Sequence, residues 1–213
     1  MKYLKLFEGY QTESKVAEIC KKYGIENWTL NKDGLVDVNG NVSLDGNRLS
    51  KLPLKFGTVT GYLDCRFNKL TSLEGSPHTV GHYFKCQNNQ LTTLESAPHT
   101  VGSFDCRDNK LTSLEGAPRL VRSYFDCENN HIRSFEGLVN IGADFYCRYN
   151  PVREIWNIIK NPHDTNWDNE FMDFFNDLDI IRGDEIAIDR LNFFLEEIGK
   201  PTVESVKGYK NIY

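Results

Sequence analysis

The 213-residue chain reads as an α/β solenoid, a short parallel-sheet stack of about six coils of 20 or 21 residues with helical N- and C-terminal caps. Three observations predict it. Cys65, Cys86, Cys106, Cys127 and Cys147 follow one another at 21, 20, 21 and 20 residues, and Cys20 stands apart. Three further columns keep step with them: Asn47, Asn68, Asn89, Asn109, Asn130, Asn150; then Leu49, Leu70, Leu91, Leu111, Ile132, Val152; then Leu52, Leu73, Leu94, Leu114, Phe135, Ile155. The flanks of this periodic region carry apolar residues at helical spacing, as a stack needs if its end coils are to be covered.

In chain order, residues 1–35 are the N-terminal helix and hairpin cap. Thr12 to Tyr23 places Val16, Ile19, Cys20 and Tyr23 on one helical face, with Thr12 as N-cap and Gly24 as the stop. Two apolar runs then flank Lys32-Asp33-Gly34, a hairpin signal. Residues 36–155 hold the repeats. Pairs such as Leu63 and Cys65, or Phe84 and Cys86, alternate with polar neighbours, which marks a short strand with one buried face. Each unit then turns at its Asn, runs through Leu-x-x-Leu and meets an E-G-x-P or E-S-x-P breaker. One unit cannot bury its own apolar face. Parallel strands about 4.8 Å apart align like residues into continuous interior columns. Each Asn is expected to bond backbone groups of its own and the next coil.

Residues 156–213 are read as an acidic helical cap. Pro151 opens a helix with Val152, Ile155, Trp156 and Ile159 in one stripe, and further helices are predicted over Trp167 to Ile181 and Ile188 to Ile198. Phe171, Phe174, Phe175, Phe193, Phe194 and Leu195 would form their core. Residues 153–213 carry 7 basic and 13 acidic side chains, whereas residues 36–152 carry 12 of each.

Leu63, Cys65, Asn68 and Leu70 fill the last four fixed positions of L-x-x-L-x-L-x-x-N-x-L, and their equivalents recur in every unit. On these residues the chain resembles the leucine-rich repeat family over about residues 38–155. The first fixed leucine is replaced, one position early, by Val59, Val80, Val121 or Ile141. The style of the repeats, with Leu52-Pro53-Leu54 leading into them and Gly199-Lys200-Pro201 near the end, is similar to leucine-rich-repeat proteins of tailed bacteriophages and bacteria. That resemblance implies a bacterial cytoplasmic setting. It also directs attention to Leu6-Phe7-Glu8, which matches the Leu/Ile-x-Glu triplet after which some phage prohead proteases remove an N-terminal targeting peptide.

Lys+Arg 25 against Asp+Glu 30 gives a formal charge of −5, so no global attraction to nucleic acid or anionic lipid is expected. No apolar run approaches the roughly 18 residues of a membrane span, and Leu4 to Phe7 is too short for a signal peptide. The cysteines are read as inert buried thiols, because parallel side chains do not converge as four zinc ligands must. No metal or cofactor is implied. Neither the His spacing nor any glycine-rich loop matches a catalytic or nucleotide motif. Cys106-Arg107-Asp108 has the letters of the Cys-x-Asp nucleophile of bacterial ubiquitin-ligase effectors, but the thiol is expected to point inward. Arg182-Gly183-Asp184 is read as a turn.

A surface remains. The outward columns are Tyr62, Tyr83, Ser103, Tyr124, Asp144; Asp64, Lys85, Asp105, Asp126, Tyr146; and Arg66, Gln87, Arg107, Glu128, Arg148, with Phe67 and Tyr149 just beyond. Tyrosine and arginine are enriched at interface hot spots. The expected activity is therefore non-enzymatic binding of a protein partner on a concave face. Its candidate residues are Tyr62, Asp64, Arg66, Phe67, Tyr83, Lys85, Arg107, Tyr124, Glu128, Tyr146, Arg148 and Tyr149. The alternatives are a virion or prohead-associated structural protein and, third, an effector enzyme using Asp189, Glu196 or Glu197.

Overall fold

The computed structural model describes residues 12–138, 144–159, 175 and 177–213. Helix α1 (Glu13–Tyr23) begins after Thr12, whose side chain makes no capping bond, and ends at Gly24 in the left-handed conformation. It buries Val16 and Cys20. The predicted hairpin is present, β1 (Trp28–Leu30) pairing antiparallel with β2 (Val36–Val38).

From there the pairing is parallel. β3 (Val42–Ser43), β4 (Phe56–Val59), β5 (Leu63–Asp64), β6 (Thr79–Lys85), β7 (Thr100–Asp105), β8 (Leu120–Val121), β9 (Tyr124–Asp126) and β10 (Asp144–Tyr146) join β1 and β2 in one ten-stranded sheet. Each repeat lies beside its own copy. Leu63 pairs with Phe84, Phe84 with Phe104, Phe104 with Phe125 and Phe125 with Phe145. Val59, Val80, Val101 and Val121 pair in the same way. Between Val80 and Tyr83 the offset changes from 21 to 20 residues, and a register shift in β6–β7 absorbs the difference. Gly81 and Gly102 permit the close approach there. A Cβ on either would overlap a carbonyl oxygen of the preceding repeat, that of Thr60 or His82.

Alternation along the strands sorts the side chains. Phe84, Phe104 and Phe125 are buried in line, with ring centroids 5.6 and 5.2 Å apart, and the cysteines lie two residues on, fully enclosed. The spine ends on Phe145, 4.9 Å from Trp156 of helix α2 (Arg153–Ile159).

The asparagines explain the turn. Asn89 Nδ2 donates to the carbonyls of Cys86 and Cys65, both at 3.0 Å, while its Oδ1 accepts the Leu70 amide at 2.9 Å. Asn68, Asn109, Asn130 and Asn150 repeat the pattern. The partner is the preceding unit, not the next one as the sequence suggested. Asn47 has no earlier copy of the turn to reach; it is exposed and, among the described residues, donates to the Asp45 carbonyl at 3.0 Å.

The C-terminal region corrects the all-helical expectation. β11 (Ile181–Arg182), β12 (Glu185–Ala187) and β13 (Lys210–Ile212) form a second sheet beside helix α3 (Ile188–Glu197). Arg182-Gly183-Asp184 is indeed a turn, but it closes the β11–β12 hairpin, and Ile181 lies in a strand where a helix was predicted. Phe175, Phe194 and Leu195 are buried, whereas Phe193 is exposed. Phe171, Phe174 and most of the predicted Trp167 to Ile181 helix lie outside the described residues. Tyr209 donates its hydroxyl to the Arg133 carbonyl at 2.5 Å, tying this sheet to the repeats.

The described chain is thus a mostly parallel sheet with few helices, an α/β arrangement. Among the described residues no helix is long and apolar enough to cross a membrane. Replacing a ladder asparagine removes donors and an acceptor from buried backbone groups, each worth about 1 kcal/mol. Asn109→Ala is therefore expected to lose about 3 kcal/mol in urea unfolding, and Asn47→Ala less than about 0.5 kcal/mol. Equal losses would contradict the ladder.

Candidate functional site

The alternation that buries the Phe and Cys columns leaves the residues between them on the opposite face of the sheet. Tyr83 and Tyr124 stand two strands apart with Ser103 between them in register. Their rings lean together to 6.3 Å between centroids, and Ser103 beneath keeps only 3% of its surface. Tyr146, one strand further, meets Tyr124 edge-on at 6.5 Å. Lys85 Nζ lies 5.4 Å from the Tyr83 ring. The structure therefore gathers Tyr83, Tyr124 and Tyr146 into one strip.

The charged columns are more internal than the sequence suggested. Asp64, counted among the available binding residues, is 5% exposed. Its Oδ1 accepts the Arg66 amide two residues on, at 3.2 Å, and Oδ2 pairs with the Arg66 guanidinium at 3.1 Å. Asp105 and Asp126 accept from Arg107 and Glu128 in the same way. An aspartate at the strand end thus closes its own turn, the local competition for backbone amides typical of Asp. The sequence pattern Asp-Cys-Arg or Asp-Cys-Glu carried that signal. Gln87, also placed outward, is buried, as is Asp105.

Arg107 is shared. It grips Asp105 through Nε at 3.1 Å and Nη2 at 3.0 Å, and Nε also lies 3.3 Å from Asp126. Arg148 pairs with Glu128 at 3.6 Å. Burial, against the opposing Glu128 amide and reinforced by the Asp105 charge, pushes the Asp126 carboxyl up to about 6. An unfolded aspartate titrates near 4, so this group's contribution to stability is full below about pH 4 and is lost as pH rises through about 6.

At the rim one backbone position recurs in the left-handed region: Gly46, Phe67, Asn88, Asp108, Asn129 and Tyr149, each just before an Asn of the repeat column. Gly, Asn and Asp suit it. Asp108 additionally accepts from Asn88 at 3.5 Å and from Asn129 at 2.5 Å. Phe67 and Tyr149 are the misfits, bulky, strained and 56% and 77% exposed. Arg66 sits 5.7 Å from the Phe67 ring, and Tyr149 borders a shallow hollow with Arg107, Asp108, Glu128 and Asn129. Tyr62 is half-buried at the far end of the face.

For chemistry, the six cysteines are free and buried. Burial pushes the thiols of Cys86, Cys106 and Cys127 well above the ordinary range, so Cys106 offers no accessible thiolate to a Cys-x-Asp triplet. Among the described residues no three His, Cys, Asp or Glu side chains converge on a metal site. Asp189, Glu196 and Glu197 are exposed along α3. Leu6-Phe7-Glu8 lies outside the described residues. Comparison of the chain with protein-family models, with curated proteins and with solved structures finds no match.

Three outcomes check this geometry. A water-soluble disulfide reagent should leave all six thiols untouched in the folded chain and titrate them in denaturant; rapid reaction of the folded protein would contradict the enclosed column. Asp126→Asn keeps an acceptor for the Glu128 amide, so its stability relative to the parent should improve as pH is raised from about 4 to about 7, followed by urea unfolding. A difference that is flat, or that grows on acidification, would be inconsistent with the buried carboxyl. Phe67→Asn and Tyr149→Asn should each raise stability by about 1 kcal/mol, because asparagine tolerates the left-handed backbone better.

Proposed function

We propose that the chain is a non-enzymatic protein-binding module, a solenoid of the leucine-rich-repeat type whose outward sheet face and rim receive the partner. The observation that carries this reading is the rim pair. Phe67 and Tyr149 occupy a backbone position where the intervening repeats use Asn or Asp, and both rings stand in solvent. Strain at an exposed aromatic residue is a marker of function, since folding alone favours its replacement. The Tyr83–Tyr124–Tyr146 strip supports it, being a contiguous run of the residue type that dominates interface hot spots.

The ion pairs orient this face. Arg66 and Arg107 hold Asp64 and Asp105 within the turns, so they brace the surface, while Tyr83, Tyr146, Phe67 and Tyr149 project from it. A bacterial cytoplasmic extract is the setting that the phage and bacterial resemblance suggests. The test is quantitative affinity capture by the full chain and by a Phe67→Asn, Tyr83→Ser, Tyr146→Ser, Tyr149→Asn variant. Each side chain is a surface one, so circular dichroism should be unchanged. Loss of the captured protein at least about ten-fold is expected, as for removal of hot-spot aromatics. Capture of the same protein in the same amount would overturn the reading.

A further inference from the structure

One row of side chains lies outside the columns assigned to the binding face. At the entry to β6 and β7, directly after the buried Pro77 and Pro98, His78 and His99 occupy the same place in successive repeats. The backbone fixes their spacing. The His99 amide donates to the His78 carbonyl at 2.9 Å, and the next residues, Thr79 and Thr100, pair in register. Both imidazoles are exposed, and their ring centroids stand 5.6 Å apart with the planes tilted by 57°. Neither ring hydrogen-bonds to another described residue.

That separation is close to the one two ligands keep on a single ion. An imidazole nitrogen binds zinc at about 2.1 Å and lies about 1.2 Å from its own ring centre, so two rings sharing an ion at a tetrahedral angle have centres about 5.3 Å apart. A small rotation of exposed side chains closes the difference. Charge is not the driving term. Asp37, which accepts the Thr58 amide at 2.8 Å, takes the side-chain place beside His78 that Gly57 leaves open, and Arg119 follows His99 in the row. Glu74, four residues before His78, pairs with Lys55 at 3.9 Å, and Glu95 precedes His99 by the same interval. With carboxylates and cations set on both sides, the attraction for an ion comes from the imidazole lone pairs, which suit zinc, nickel and copper and not calcium or magnesium.

We propose that His78 and His99 form a two-imidazole seat for a divalent first-row transition ion, with water completing its coordination. Among the described residues no third ligand converges on the pair, so the site is an open clamp and not a closed structural cage. The clamp spans a particular joint of the fold. It bridges β6 and β7 just ahead of the register shift between Val80 and Tyr83, where the offset falls from 21 to 20 residues. An ion held there ties the third repeat to the fourth on the 21-residue side.

The site is independent of the protein-binding reading, and its test needs no partner. The full chain, labelled with nitrogen-15, is titrated with zinc chloride and separately with magnesium chloride, following histidine ring and backbone amide resonances. Saturable one-to-one shifts confined to His78, His99 and their chain neighbours are expected with zinc at sub-millimolar concentration, and none with magnesium. His78→Gln and His99→Gln, both at exposed positions, should each weaken binding about ten-fold or more, and the double variant should be no weaker than either single one, because two ligands of one ion act as a unit. His82→Gln and His131→Gln, exposed but outside the pair, should leave the affinity unchanged. Shifts centred on the cysteine column or spread evenly over the histidines, a response that does not saturate, or unchanged affinity in His78→Gln would overturn the inference.

Discussion

A column of asparagine side chains decides what every other residue of this fold can do. The turn that follows each strand leaves backbone carbonyls and amides in the interior, and buried groups of this kind must be bonded. One amide side chain serves carbonyls in its own turn and in the turn before, and its oxygen takes the amide of the preceding Leu column. The bond is directional. Each repeat completes the one before it, and the repeats are held in register.

The interior follows from that constraint. With the turns fixed, Phe, Cys, Leu and Val fill the interior of the repeats in columns. A thiol there behaves as a small apolar group, and its ionised form is strongly disfavoured by burial. The outward face is therefore the part of the sheet that stays open to solvent. Even there, much of the charge is internal business: Asp64 and Asp105 serve their own turns and their arginines, leaving tyrosines as the projecting groups.

How much of this was legible depended on whether a residue's partners were periodic. The period, the buried Cys, Leu and Asn columns, the α1 stop at Gly24 and the Lys32-Asp33-Gly34 hairpin could be read because each rests on local spacing or turn chemistry. The direction of the Asn bonds could not, since either neighbour presents the same groups until the turn has a handed geometry. Asp64 looked like an outward charge because strand alternation places it there, and only the return of its carboxylate to the Arg66 amide buries it. β11 to β13 have two or three residues each, too short for any alternation, and β13 pairs with a strand more than twenty residues earlier. The rim strain at Phe67 and Tyr149 was invisible for another reason. A column reading Gly, Phe, Asn, Asp, Asn, Tyr looks unconstrained until its backbone angles are known.

Amide hydrogen exchange resolved by residue tests the central constraint most directly. The amides of Leu70, Leu91, Leu111 and Ile132 donate to the side-chain oxygens of Asn89, Asn109, Asn130 and Asn150. They should exchange only with global unfolding, together with the strand amides of Phe84 and Phe104. Exchange of those four at the rate of exposed turn amides would show that the asparagine column does not hold the repeats together.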